Sequence, residues 1–288
     1  MLRIHIRLPL NISPALEKLL MEHLEANSHR YREEVSLINS HTCGQEGTSG
    51  QQPADIMIGF MPEIEALTDE YLLEHFVRIP AGFPIRRELE GQGFADPWGI
   101  FHLFGIVPFV MFYNPDFLDE KEIPSTWDEL LDQRWQGRIM MPGKEHIAPR
   151  IVRAVLKHNN PERASAVDEN IVCSGVPPNV IAAIKRGEFS LGIANITFGK
   201  ISEGLNIKMI CPREGLLCAP QTVIWRKGPA EKMLGLGEFL LSAEVQSLLT
   251  QQLFFPAAPG VGLPEIFREK NVKIYWPGWE SYRQAIKQ

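Results

Sequence analysis

The chain has 288 residues, 44% of them hydrophobic and 22% charged, with a formal net charge of −6. That length exceeds the roughly 100 to 200 residues of one typical domain, and the composition supports a substantial buried core. The acidic balance argues against a surface that follows a phosphate backbone, and every long apolar run, including "GIFHLFGIVPFVMFY", contains His, Pro or Gly and falls short of the roughly 18 apolar residues that cross a bilayer.

"LRIHIRL", Leu2 to Leu8, alternates apolar and polar residues and predicts a strand. It runs into "PLNIS", where Ser13 as N-cap and Pro14 as first helical residue open a helix to about Asn27, with Leu16, Leu19, Leu20 and Leu24 as its apolar stripe. "EEVSLIN" predicts a second strand, followed by the polar, Gly-rich loop "SHTCGQEGTSGQQP". "DIMIG", bounded by Pro53 and Gly59, predicts a third strand, buried inside a sheet. This order implies a mostly parallel sheet with helices on its faces, and ligands beyond the carboxyl ends of the strands. The turns in question are "PLNIS" and "GFMPE".

"GIFHLFGIVPFVMFYN" is long for one strand and carries Pro108, which cannot donate to a central ladder, so two strand segments meeting at a bend are expected. Ser125 or Thr126 with Asp128 or Glu129 makes a capping box for a helix in "TWDELLD", and "GRIMMP" is a strand of a second sheet. Pro149 marks the start of a helix in "GKEHIAPRIVRAVLKHNN", and Asn160-Pro161 starts another. "PPNVIAAIKRGEF" reads as a helix with Gly187 at its C′ position, and "SLGIANI" returns to the sheet. "NIKMIC" and "APQTVIWRKG" are further strands, "PAEKMLGLGEFLLSAEVQSLLTQQLFF" is apolar and helical, and the tail ends in a short amphipathic helix.

Four cysteines, Cys43, Cys173, Cys211 and Cys218, are too scattered for a disulfide framework; Cys211 and Cys218 are read either as a hairpin disulfide or as two free thiols. Only Met1 precedes the first predicted strand, so the chain as given shows no secretory signal, which leaves a cytosolic protein and one whose signal was removed both open.

The segments "FYNPDFL" and "IPSTWDELLDQRWQGRIMMP", with "VIAAIKRGEFSLGIAN" and "FLLSAEVQSLL" later, resemble the type 2 solute-binding proteins of ABC transporters, in the branch that contains ferric-iron binders. The matching elements are Tyr113-Asn114, Pro124 to Leu130, Trp135 to Gly137 and Ile139 to Pro142, and the resemblance covers most of the chain from about Asp55. It implies an α/β, two-lobed type 2 periplasmic-binding-protein fold with an interlobe cleft, in which hinge closure traps a small ligand and no cofactor or chemical step is needed. It further implies lobe 1 over residues 1–108 with about 222–260 returning to it, and lobe 2 over 109–221 with about 261–288. The implied partners are a metal ion, metal complex or small oxyanion and a transporter permease in the membrane, with the chain a monomer in the periplasm or outside the cell. Where ferric binders of this family carry adjacent tyrosines, after the strand matching "SLGIAN", this chain has Ile196-Thr197-Phe198.

Strand ends and helix starts supply the candidate ligand residues: Asn11, Ser13, Phe60, Met61, Lys144, His146, Asn195, Thr197, Gln221 and Thr222. Helix N-termini present free N–H groups and partial positive charge, which suit small anions and carboxylates. His41 and Cys43 could ligate a soft or borderline metal, with His102 or His146 completing the set; a flexible polar loop with a small buried thiol explains the pair as well. His102, in an apolar strand, reads as a satisfied core or hinge histidine, and Trp276 as packing of the tail. No G-x-S-x-G, H-E-x-x-H, Walker loop or G-x-G-x-x-G occurs. The rival readings are a cytosolic ligand sensor or enzyme on the same fold, and an interaction module whose cleft is lined by Phe60, Met61 and Phe198.

Overall fold

The computed structural model describes residues 2–31, 35–39, 54–202, 204, 206–269 and 272–287. The chain divides into two compact units, one of Met1–Ile106 with Pro220–Pro264 and one of Val107–Ala219 with Glu265–Gln288. In chain order the strands are β1 (Leu2–Arg7), β2 (Val35–Asn39), β3 (Ile56–Gly59), β4 (His102–Tyr113), β5 (Ile139–Met141), β6 (Ile171–Cys173), β7 (Leu191–Asn195), β8 (Lys208–Ile210), β9 (Leu216–Trp225), β10 (Phe255–Pro256) and β11 (Ile274–Tyr275). The chain passes between units inside β4 and inside β9, and again after Pro264.

In the first unit β1 lies between β2 and β3 and is parallel to both, with Ile4 opposite Leu37 and Ile56. Strands connected in parallel need a helical crossover, and the Ser13–Ala26 helix follows β1, burying Leu16, Leu20 and Leu24. The expected cap is displaced by one residue. The N–H groups of Ile12 and Ser13 both donate to the Pro9 carbonyl, at 3.0 and 3.1 Å, which winds the chain early. Ile12 therefore takes the N-cap position, while the Ser13 hydroxyl lies inside the helix and donates to Glu17 Oε1 at 2.7 Å. The first-unit end of β9 runs antiparallel to β3, placing Thr222 opposite Gly59, and β10 pairs antiparallel with Gly105 and Ile106 of β4.

The apolar stretch after Pro229 breaks into a 3-10 turn, Pro229–Met233, and two helices, Leu236–Leu240 and Ala243–Gln251. Fully buried Gln246 ties them to the sheet: its Nε2 donates to the carbonyls of Phe104 and Leu240, each at 2.7 Å, and its Oε1 accepts from the Ala258 N–H at 3.0 Å.

In the second unit β7 runs antiparallel to Phe109–Phe112 of β4 and parallel to β5, which is parallel to β6. The two segments expected on either side of Pro108 form one strand, residues 102–113. Proline removes only its own donor: the Pro108 carbonyl still accepts from the Ile196 N–H at 2.9 Å, and the ladder to β7 begins at Phe109, so the strand continues through it. "TWDELLD" forms a 3-10 turn, Asp128–Leu131, in place of an α-helix. The reciprocal capping contacts are nonetheless made: Thr126 Oγ1 accepts from the Glu129 N–H at 3.3 Å, and the Glu129 carboxylate accepts from the Ser125 hydroxyl and N–H at 2.6 and 3.0 Å. The buried indole of Trp127 donates to the Gly215 carbonyl at 2.9 Å. The helix expected from Pro149 begins two residues earlier, at Ile147, after His146 as N-cap. Trp276, Trp279 and Tyr282 pack together in the tail, with ring centroids 5.0 to 5.9 Å apart.

Candidate functional site

Each unit gathers part of the candidate set at the carboxyl ends of its parallel strands. In the first unit, Arg7 and Gly59 are register partners at the ends of β1 and β3, and Gly59 faces Thr222. The Thr222 hydroxyl donates to the Gly59 carbonyl at 3.4 Å, and Gln221 Nε2 donates to the Pro220 carbonyl at 3.1 Å; both side chains are buried. Half-buried Asn11 donates through Nδ2 to Gln252 Oε1 at 3.0 Å. Phe60 and Met61 are buried in the core, as Phe198 is in the second unit, so the interaction-module reading loses all three of its lining side chains.

Beneath this edge lies a contact absent from the sequence reading. Buried Arg7 at the end of β1 pairs with Glu63, whose carboxylate is 2.5 Å from its Nη1. Glu63 follows Pro62 in a short helical turn, Pro62–Glu65. The alternation of "LRIHIRL" put Arg7 on a polar face, yet His5 and Arg7 are both buried, so that face of β1 is covered as well. A charged residue ending an inner strand was the available signal, since a buried charge requires a partner.

In the second unit the ends of parallel β5 and β7 bring two loops side by side. The β5 loop carries exposed Lys144 and half-buried His146, directly before the Ile147–Asn159 helix. Burial pushes the His146 imidazole below its ordinary pKa, opposed by the charge of Glu145, whose Oε1 lies 3.6 Å from Nε2. The β7 loop carries Asn195, whose Oδ1 accepts from the Thr197 N–H at 3.1 Å and so holds the turn into the Thr197–Ser202 helix. Thr197 and Phe198 are buried. The edge thus combines helix-start N–H groups, one exposed ammonium and side chains able to donate hydrogen bonds, which can hold an anion but offer no nucleophile with an adjacent base.

His41 and Cys43 lie outside the described residues. His102, assigned with them to a metal set, lies in the first unit's core at 5% exposure, between Phe83 and Trp225, with ring centroids at 5.3 and 5.6 Å. Burial pushes its pKa down to about 4 against an opposing hydrogen bond with the Gly99 backbone, and Nε2 has no hydrogen-bond partner, so it is a core histidine only partly satisfied. Among the described residues no three His, Cys, Asp or Glu side chains cluster so as to hold a metal. Cys173 and Cys218 are free thiols, which excludes the Cys211–Cys218 hairpin disulfide, and burial pushes the Cys218 thiol up.

Residues 52–285 match the family model described as bacterial extracellular solute-binding protein. Among solved structures, the chain is similar to a ferric binding protein from Campylobacter jejuni, at 17% identity over 100% of this chain and 96% of that one, with a TM-score of 0.70. It is likewise similar to the apo ferric ion-binding protein A of Pasteurella haemolytica (15% identity, 99% and 94% coverage, TM-score 0.73) and to iron-bound HitA from Pseudomonas aeruginosa (18% identity, 99% and 95% coverage, TM-score 0.67). The fold is therefore the two-lobed α/β fold of periplasmic binding proteins. No curated protein matches the sequence.

Proposed function

The chain belongs to the family of bacterial extracellular solute-binding proteins, and from that premise we propose that it captures one small anionic solute, an oxyanion or an anionic metal complex, for an ABC-type importer. In this proposal candidate donors on both units contribute, the hinge closure implied by the sequence resemblance traps the solute, and no chemical step occurs. The protein acts as a monomer in the periplasm, hands its solute to a membrane permease and has no nucleic-acid partner.

Family membership supports the carrier role, and the end of β7 supports the choice of ligand. Ferric ion alone calls for hard anionic oxygen donors, and the turn after β7 holds Asn195, Ile196, Thr197 and Phe198 with no tyrosine. Amide, hydroxyl and N–H donors stabilise negative charge instead. Among the first unit's carboxylates, Glu63 and Glu17 already accept hydrogen bonds from Arg7 and Ser13, and in the second unit Glu145 lies 3.6 Å from His146 Nε2.

A thermal-shift panel on ligand-stripped protein tests this with phosphate, sulfate, molybdate, citrate, ferric citrate and ferric ion supplied as a weak chelate. A ligand at about 100 times its Kd stabilises by about 2.7 kcal/mol, a rise of several degrees. The expected outcome is a rise with one anion class. A rise confined to ferric ion, together with a visible tyrosinate-to-iron absorption band, would sink the reading.

A further inference from the structure

The first unit holds a pocket at the end of its sheet opposite the strand-end candidates. Those candidates gather where Gly59 faces Thr222, whereas Ile56 faces Trp225 at the other end of the same strand pair, and the His102 ring lies 5.6 Å from Trp225. His102 is part of the lining of a space of about 80 Å³, formed by residues between Ile79 and Leu103. Exposed Ala81 and Glu90 mark its open side, and buried Phe94, Phe101 and His102 its floor. No member of the strand-end set lines it.

At the floor the imidazole is neutral at ordinary pH, because burial holds its pKa at about 4. The ring bonds to the Gly99 backbone while Nε2 has no partner, so Nδ1 carries the proton donated to the Gly99 carbonyl and Nε2 keeps a bare lone pair. A buried acceptor in this state gains a hydrogen bond from a donor that reaches it, so the floor favours a donor. At the open side the Glu90 carboxylate is in no ion pair among the described residues, and no lysine or arginine among them lines the pocket. Arg78 and Arg86, on either side of the segment 79–85, bond instead to the carbonyls of Trp98 and Val261, at 3.0 and 2.5 Å. Asp96 fixes the wall, its carboxylate accepting from the N–H groups of Ile100 and Phe101 at 2.6 and 2.8 Å. The pocket thus joins a neutral acceptor to negative charge, which disfavours an anion.

We propose that this pocket is a second ligand site, which takes a small organic cation bearing a hydrogen-bond donor, such as a short amino alcohol, with the donor on His102 Nε2 and the positive charge beside Glu90. An apolar cavity of about 150 Å³ admits benzene, so the space here suits roughly four heavy atoms.

Titration of the full chain, carrying isotope-labelled histidine, with ethanolamine, propanol and acetate tests the proposal through the magnetic resonance of the imidazole nitrogens. Ethanolamine should move one Nε2 signal saturably, and that signal should be the one missing from His102→Phe. Propanol keeps the donor but lacks the charge, and should bind about fivefold more weakly, as the loss of an exposed ion pair predicts. Acetate should leave the signal in place. Glu90→Gln, an exposed change that leaves the floor intact, should lower ethanolamine affinity by the same factor and leave propanol unaffected. Asn195→Ala reads the strand-end site and should alter neither, so each reading can fail alone. A His102 signal that no ligand moves would show that water alone fills the pocket, and equal ethanolamine affinity in Glu90→Gln and the unmodified chain would remove the cation; either result overturns the proposal.

Discussion

Gly59 fixes the end of β3: at its φ of +115° an added Cβ would lie 2.0 Å from the Arg7 carbonyl oxygen, a backbone atom that no side-chain rotation can move aside. Gly59→Ala should therefore cost about 3 kcal/mol or more in urea unfolding; a cost within about 0.5 kcal/mol would show that the strand end can move aside. His102 makes stability depend on pH. Its folded pKa is about 4 against an ordinary 6.5, so the unfolded chain takes up the extra proton as pH falls through 6.5. Stability from this residue is complete above about 6.5 and is lost progressively down to about 4, by about 3 kcal/mol in all. Unfolding curves at pH 7 and pH 4.5 should show a smaller difference for His102→Phe than for the unmodified chain, and equal differences would refute the assignment. Neither detail could be read from local sequence. Gly59 is a turn glycine until Arg7, 52 positions away, lies against it, and the polarity around His102 is set by Phe83 and Trp225. What local sequence did carry was which short polar residues stand at strand ends, as at Asn195 and Thr197.

Among the elements, sequence pattern fixed type better than boundary or continuity. Period-two alternation located β1 although both of its faces are largely buried, and the Leu16, Leu20 and Leu24 stripe located the first helix because it reports one buried face. Pro108 misled because a proline inside a strand removes one donor, and whether that matters depends on which partner faces the missing N–H. The apolar run after Pro229 similarly hid two breaks, since hydrophobic composition alone does not place helix ends. Gln246 shows what holds those pieces together. Its three hydrogen bonds reach Phe104, Leu240 and Ala258, so one amide joins the Ala243–Gln251 helix to β4 and to the chain after β10. Gln246→Leu keeps the volume but leaves two carbonyls and one N–H buried and unpaired, and should cost about 3 kcal/mol in chemical denaturation. A loss under about 1 kcal/mol would mean those groups find other partners.

For the molecule as a whole, the order of elements carried more than any single residue. Strands returning to two separate units, with the chain crossing inside β4 and β9, follow from segment order, which is why a resemblance spread over many weak motifs identified the fold. Ligand chemistry was less legible, because the Arg7–Glu63 pair depends on positions brought together only by folding. The central claim is that one small anion is captured with donors from both units. Its most direct measurement is calorimetric titration of the anion found by thermal shift into the unmodified chain, into Asn11→Ala in the first unit and into Asn195→Ala in the second. The account predicts a binding event weakened in both variants, each by about tenfold, the equivalent of about 1.4 kcal/mol. Undiminished binding in both, or loss in only one of the two units, would contradict it.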